Sequence, residues 1–157
     1  MVYLGLRRGS VTHTLRHGGF LAAARELGMQ VTTVENPDPS SSISSGYQMA
    51  RRLFAAPFSQ TALFAASDAV ALGVIRAADE AGIAIPQRLS ILGFDDIEYA
   101  ALPNIRLSTL SRNTSLMARA SVRLLLELVD SDSRGEYTGK LITPALVERA
   151  TCAPYSG

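Results

Sequence analysis

Residues 1–94 repeat one pattern: a short apolar run, a polar turn, then apolar residues at helical spacing closed by glycine or proline. The runs are VYLGL (Val2–Leu6), MQVTTVEN, TALFAAS and LSILGF. They are rich in Val, Ile, Leu, Phe and Thr, which suit strands buried on both faces. Between them, Phe20, Ala23, Ala24 and Leu27 share one helical face, and Gly28 ends that helix because glycine tolerates the left-handed cap. Tyr47, Ala50, Leu53 and Phe54 point inward from a second helix that stops at Pro57. Ser67 or Asp68 is placed to cap a third, whose buried stripe is Val70, Val74, Ala77 and Ala78, closed by Gly82. Strands alternating with helices of this length predict βαβ units, hence an α/β fold with a parallel sheet covered on both sides.

After Asp96 the rhythm changes. IEYAALPN reads as a turn, and IRLSTLS as an alternating strand. Asn113 or Thr114 caps the longest helix, residues 115–130, with an apolar stripe of Leu116, Met117, Ala120, Leu124, Leu125 and Leu128. Arg123 and Glu127 have the spacing of an i,i+4 ion pair on its wet face. SDSRGEYTG reads as a surface loop, and KLITPALVER as an extended edge segment, since Pro144 removes a ladder donor.

Composition narrows the function classes. The 157 residues are 47% apolar and 18% charged, with net charge +1, enough for one domain with a core and too balanced for a phosphate-backbone binder. Arg7-Arg8 and Arg51-Arg52 are isolated pairs rather than a basic stripe. One cysteine, Cys152, rules out an intrachain disulfide, and no apolar run approaches the ~18 residues of a membrane span. The reading is a cytoplasmic protein with no membrane partner and no leader ahead of the first strand.

Chemistry has few candidates. His13 and His17 are four apart, but no third ligand lies nearby, so both read as solvated and no metal is expected. Cys152 has no histidine in sequence reach. The serines around Ile43 lack the Gly-Lys-Ser/Thr ending of a phosphate loop and read as turn and cap residues. No nucleophile with a positioned base emerges, so neither enzyme chemistry nor a cofactor is expected. Asp95-Asp96 stands out. In an open parallel sheet, ligands bind beyond the carboxyl ends of the strands. Asp95, Ser67 and Asp68 fall at such ends, and Arg16 follows the first strand on the same edge, in the loop or first helical turn. A carboxylate accepts two hydroxyl donors and a guanidinium donates in a fixed fork. That pair suits a polyol or sugar; it also suits a small carboxylate or a magnesium ion.

The stretch TALFAASDAVALGVIRAADEAGIAIPQRLSILGFDDIEYAALPNIRLSTL resembles the LacI/GalR family of bacterial transcription regulators. Their pattern is Ala-Asn-Asp opening a helix ALG…R…G, then Val-Gly-Phe/Tyr-Asp-Asp, then Pro…Leu-Thr-Thr. LITPALVERAT is similar to the family ending Leu-Pro-x-x-Leu-Val-x-Arg-x-Ser/Thr, and VYLGL…LRHGGFLAAARELG to its Gly-x-x-x-x-Ser…Arg-x-x-Gly-Phe segment. The resemblance implies a periplasmic-binding-protein-like core of two α/β lobes with a small-molecule effector between them. It implies that residues 1–103 and 138–157 form the second lobe, and that 104–137 is a crossover strand and helix belonging to the first. DNA would be bound only through a helix-turn-helix domain that this chain does not contain.

By the same resemblance, Arg16 and Asp95 match effector-binding positions. Ser67 replaces the asparagine of Ala-Asn-Asp, and Arg112 stands where several members carry glutamine or another polar cleft residue. No aromatic stands near Ser41, where one often stacks on a sugar. The expected role is sensing of a small-molecule effector, a sugar by preference, by a transcriptional regulator, with a periplasmic-type sugar-binding protein of a transport system as the alternative. The leucine stripe after Ser115 adds the expectation of a homodimer, because several exposed leucines drive association.

Overall fold

A computed structural model describes residues 1–38, 40–130 and 139–154. The strands are β1 (Val2–Leu6), β2 (Thr32–Glu35), β3 (Ala62–Ala65), β4 (Ser90–Asp95), β5 (Ser108–Ser111) and β6 (Ala145–Val147). They form one sheet in the order β2-β1-β3-β4-β5-β6, parallel except for the antiparallel β5–β6 pair at the edge. The helices are α1 (Val11–Glu26), α2 (Ile43–Phe54), α3 (Asp68–Glu80) and α4 (Thr114–Asp130). The expected α/β parallel sheet is the observed one.

Successive side chains along a strand point to opposite faces, and here both faces are buried. On one face Val2, Leu4, Leu63, Ala65 and Ile91 pack under α2 and α3 with Met49, Val70, Ala71, Val74 and Leu107. On the other, Tyr3, Phe64 and Ala66 meet Phe20 of α1, with Leu92, Phe94 and Leu110 only partly covered. The α2–α3 contact is close because glycine sits at the crossing. A Cβ on Gly46 would overlap the backbone of Val70, and one on Gly73 would overlap Ile43 and Tyr47. Ser42 and Ser45 form a reciprocal capping box at the start of α2, which gives the serine-rich stretch its role.

Several expectations change. The crossover was placed from residue 104, but β5 pairs in parallel with β4 from Leu92↔Ser108 to Asp95↔Ser111. Ser108 and Thr109 are buried there, so this strand belongs to the sheet and the chain leaves it only after Ser111. Helix α1 starts at Val11, which puts Arg16 in its second turn. Leu27 is exposed rather than on the buried face. The histidines are not solvated: His13 is buried, and His17 Nε2 lies 2.9 Å from Thr33 Oγ1. Arg123 and Glu127 form no ion pair, whereas Arg76 and Glu80 on α3 do, at 3.1 Å. The edge position of KLITPALVER holds, with β6 beginning just after Pro144. The loop expected at Ser131–Gly139 lies, but for Gly139, outside the described residues. Helix α4 exposes Leu116, Met117, Val122, Leu125 and Leu126.

Candidate functional site

The carboxyl ends of β1, β3, β4 and β5 deliver the candidate residues to one edge of the sheet. Strand β4 ends on Asp95 and Asp96 follows it; both adopt positive φ, 127° and 60°. Few non-glycine residues do so, and Asp is among the more tolerant because its short side chain bonds locally. The paired acids are therefore suited to turning the chain off the strand, and the two side chains then do different work.

Asp96 is structural. It takes Arg149 Nη2 at 2.7 Å, and the same guanidinium donates to the Leu107 carbonyl at 2.8 Å. The Arg149 backbone N–H donates to Ser108 Oγ at 3.0 Å. The LVER ending is thus clamped onto the Asp-Asp turn, a role for Arg149 that sequence reasoning missed although both motifs were in view.

Asp95 faces the open rim. Arg112, from the end of β5, approaches it with Nε 3.2 Å from Oδ1; the Asp95 side chain is 21% exposed and that of Arg112 52%. Burial pushes the Asp95 carboxyl above its ordinary pKa, while the nearby Arg112 and Arg16 guanidiniums pull it back down and Asp68 adds to the rise. Arg16 reaches the same rim from α1. Its Nη1 donates to the Ala66 carbonyl, and its guanidinium stacks on Phe94, 3.6 Å from the ring centroid. Burial lowers its pKa from the ordinary arginine value, and Asp95 opposes that shift. Among the described residues Arg16 forms no ion pair.

Ser67 is buried at the end of β3 and caps α3, its Oγ accepting the Val70 N–H at 3.3 Å. Its hydroxyl is thus tied to the helix start, beside the carbonyl that Arg16 uses. Asp68 is fully buried and accepts from Thr109 Oγ1 at 2.5 Å and from the Ile97 N–H at 3.0 Å. A Cβ on Gly93 would strike its carboxylate, so glycine in LSILGF makes room for that brace. The structure therefore brings Arg16, Asp95 and Arg112 together, sets Ser67 next to them as a cap, and keeps Asp68 as scaffold.

The buried Tyr3 hydroxyl has no partner among the described residues, and the buried His13 ring lies against the Gly5 backbone. Burial raises the Tyr3 pKa, and burial with the adjacent Arg16 lowers that of His13. Tyr3 hides in an apolar strand, and nothing in its spacing marks it. Phe94 was legible only as a strand residue; its use as a platform for Arg16 needs the fold.

Two further hollows are lined by other residues. One of about 510 Å³ is lined by Arg7, Arg8, Glu35, Asn36, Asp38 and Arg52, and Arg8 there forms a two-point pair with Glu35 at 2.5 and 2.7 Å. Another of about 500 Å³ runs along α4, past Leu116, Arg119, Arg123 and Glu127. Neither includes Arg16, Asp95 or Arg112. No group of three or more His, Cys, Asp or Glu side chains gathers at metal-binding range among the described residues. Among them, too, no helix is long and apolar enough to cross a membrane.

The model of the periplasmic binding protein-like domain family matches residues 1–152. The HTH-type transcriptional repressor PurR of Erwinia tasmaniensis is 30% identical over 142 residues, covering 89% of this chain and 41% of that protein. The HTH-type transcriptional regulator MalR of Clostridium butyricum is 39% identical over 92 residues, 59% of this chain and 27% of that protein. Among solved structures, a LacI transcriptional regulator from a Rhodococcus species superposes with a TM-score of 0.84 at 28% identity, covering 98% of this chain and 56% of that one. The lac repressor dimer bound to operator and the anti-inducer ONPF gives 0.86 at 26% identity, covering 98% and 53%. The chain thus spans only about a quarter to a little over half of the relatives it matches. The chain belongs to the periplasmic binding protein-like domain family, and its likeness within that family is to LacI/GalR-type transcriptional regulators.

Proposed function

We propose that residues 1–157 are the effector-sensing portion of a LacI-type regulator, which binds a small molecule of the sugar class and passes the signal to a DNA-binding helix-turn-helix outside this chain. The observation that carries the reading is the meeting of Arg16, Asp95 and Arg112 at the carboxyl edge of one parallel sheet, where open α/β sheets take ligands. The relatives named as repressors favour gene control over transport. In this reading Arg16 and Asp95 hold the effector, Ser67 shapes the floor, and Arg112 sets selectivity. The sheet and α1–α3 make one lobe, while α4 belongs with a second. The exposed leucines of α4 support contact with that lobe or with a second copy in a homodimer. The working compartment is the cytoplasm.

The test is a thermal-shift screen of sugars and sugar derivatives. A hit raises the melting temperature of the wild-type chain and loses that effect in Asp95→Ala, while Glu35→Ala in the neighbouring hollow keeps it. Hits that protect Asp95→Ala as well as wild type would place the ligand elsewhere and end this reading.

A further inference from the structure

At the rim two guanidiniums, Arg16 and Arg112, share one partly exposed carboxylate, Asp95. Arg112 is bound to Asp95, Arg149 to Asp96, and Arg8 to Glu35. Asp68 is fully buried and its carboxylate is occupied by Thr109 and the Ile97 N–H. Arg16 remains. It makes one backbone hydrogen bond and lies on the Phe94 ring, which leaves most of its five donors unspent in a half-buried place. Its nearest carboxylate, Asp95, is shared with Arg112, and a ligand anion would add a second counter-charge for the two guanidiniums. A neutral polyol would use Asp95, whose Oδ1 Arg112 Nε already approaches at 3.2 Å, and would bring no counter-charge to Arg16.

We infer that the effector of this site carries an anionic group, a carboxylate or phosphate on a polyol frame, with the anion seated on Arg16, the frame's hydroxyls on Asp95, and Arg112 offsetting the Asp95 charge. This rests on reading the rim as the effector site and adds the ligand's charge class. Arg112 is the switch in that selectivity. With arginine at 112, Asp95 is neutralised and the rim is positive. With a neutral residue there, Asp95 would face Arg16 alone and repel an anion.

The experiment follows the arginine Nε–Hε resonances of the 157-residue chain during titration with inorganic phosphate at constant ionic strength, with glycerol as the neutral control. The expected result is a saturable shift of Arg16 in the millimolar range with phosphate and none with glycerol. Arg112→Gln is expected to weaken phosphate about tenfold and Asp95→Asn to strengthen it severalfold. Both positions are partly exposed, so the variants fold, and unchanged amide spectra elsewhere verify it. A parallel titration with acetate separates the two anion classes: equal occupancy marks a general anion seat, and stronger phosphate binding marks a phosphoryl group. An Arg16 resonance that does not move, or that drifts without saturation along with exposed Arg25 and Arg119, overturns the inference. If Arg16 is silent to anions while a neutral sugar still needs Asp95 for its thermal shift, the anionic seat is wrong and the effector-site reading survives. If Asp95→Asn leaves every ligand untouched, the site reading itself has failed.

Discussion

The two faces of the sheet are built to different standards. The face under α2 and α3 is the more closed: Val2, Leu4, Ala65, Val70, Ala71 and Val74 are fully buried at its centre with Leu53, Phe54 and Ile75 partly covered around them, its helices cross on Gly46 and Gly73, and Asp68 has both oxygens bonded. The face under α1 is looser. Among the described residues its buried cluster is Tyr3, Phe64 and Ala66, Phe94 and Leu110 stay partly open, and the buried Tyr3 hydroxyl has no partner. Natural sequences break the packing rules at few places, and those places are where function is found. One face is tightly packed, and the other leaves Arg16, Asp95 and Arg112 near one another at its rim.

The largest test of that contrast is on the closed face. Gly73→Ala forces a methyl into the backbone of α2, with no flexible side chain to yield. It should cost about 3 kcal/mol in urea unfolding, at the upper end of overpacking effects. A loss under 1 kcal/mol would mean that the helices cross less closely. Next comes Asp68→Ala, which strands the Thr109 hydroxyl and the Ile97 N–H. Loss of about 2 kcal/mol is expected from two orphaned donors. On the looser face the sign reverses. Tyr3→Phe removes a buried hydroxyl that has no partner, so stability should hold or rise by about 0.5–1 kcal/mol. A fall of 1 kcal/mol would show that the hydroxyl is satisfied.

Acid provides a fourth contrast. His13 has a folded pKa below its ordinary 6.5, so the unfolded chain binds the proton more readily. Its contribution to stability is complete above pH 6.5 and is lost as pH falls through the lower folded value. Asp95 runs the other way: its raised folded pKa makes it favour folding below its ordinary 3.8 and gives that up as pH rises. As pH falls below 6.5 the histidine lowers stability, the direction opposite to that of Asp95. His13→Leu should flatten the decline in melting temperature over that range, and an unchanged decline would place the titrating group elsewhere. The smallest effect belongs to Arg112→Gln. A half-exposed ion pair contributes little, so stability should move by no more than about 0.5 kcal/mol even though the ligand response changes.

How much of this the residues disclosed in advance follows from range. The strands, their parallel order and the buried stripe Val70, Val74, Ala77 and Ala78 were legible because apolar period and glycine caps are local signals. Arg16 and Asp95 could be placed on one edge because βαβ topology fixes where strand ends lie. Long-range facts were hidden. The clamp of Arg149 on Asp96 spans 53 positions, and the reach of Arg16 to Ala66 spans 50. The start of the crossover was misplaced for a related reason: IRLSTLS alternates like a half-buried strand wherever it sits, and only its pairing with β4 fixes its sheet. His13 looked solvated because its neighbours are polar in sequence, whereas the helix turns it toward Gly5 and the sheet.

The convergence of Arg16, Asp95 and Arg112 can be measured without any ligand, by following the Asp95 carboxyl carbon through an NMR pH titration. Wild-type Asp95 should titrate above the ordinary 3.8, and removal of either cation should raise it further, more in Arg112→Gln than in Arg16→Gln. An Asp95 that titrates at the ordinary value and moves in neither variant would mean that the three side chains do not share a rim.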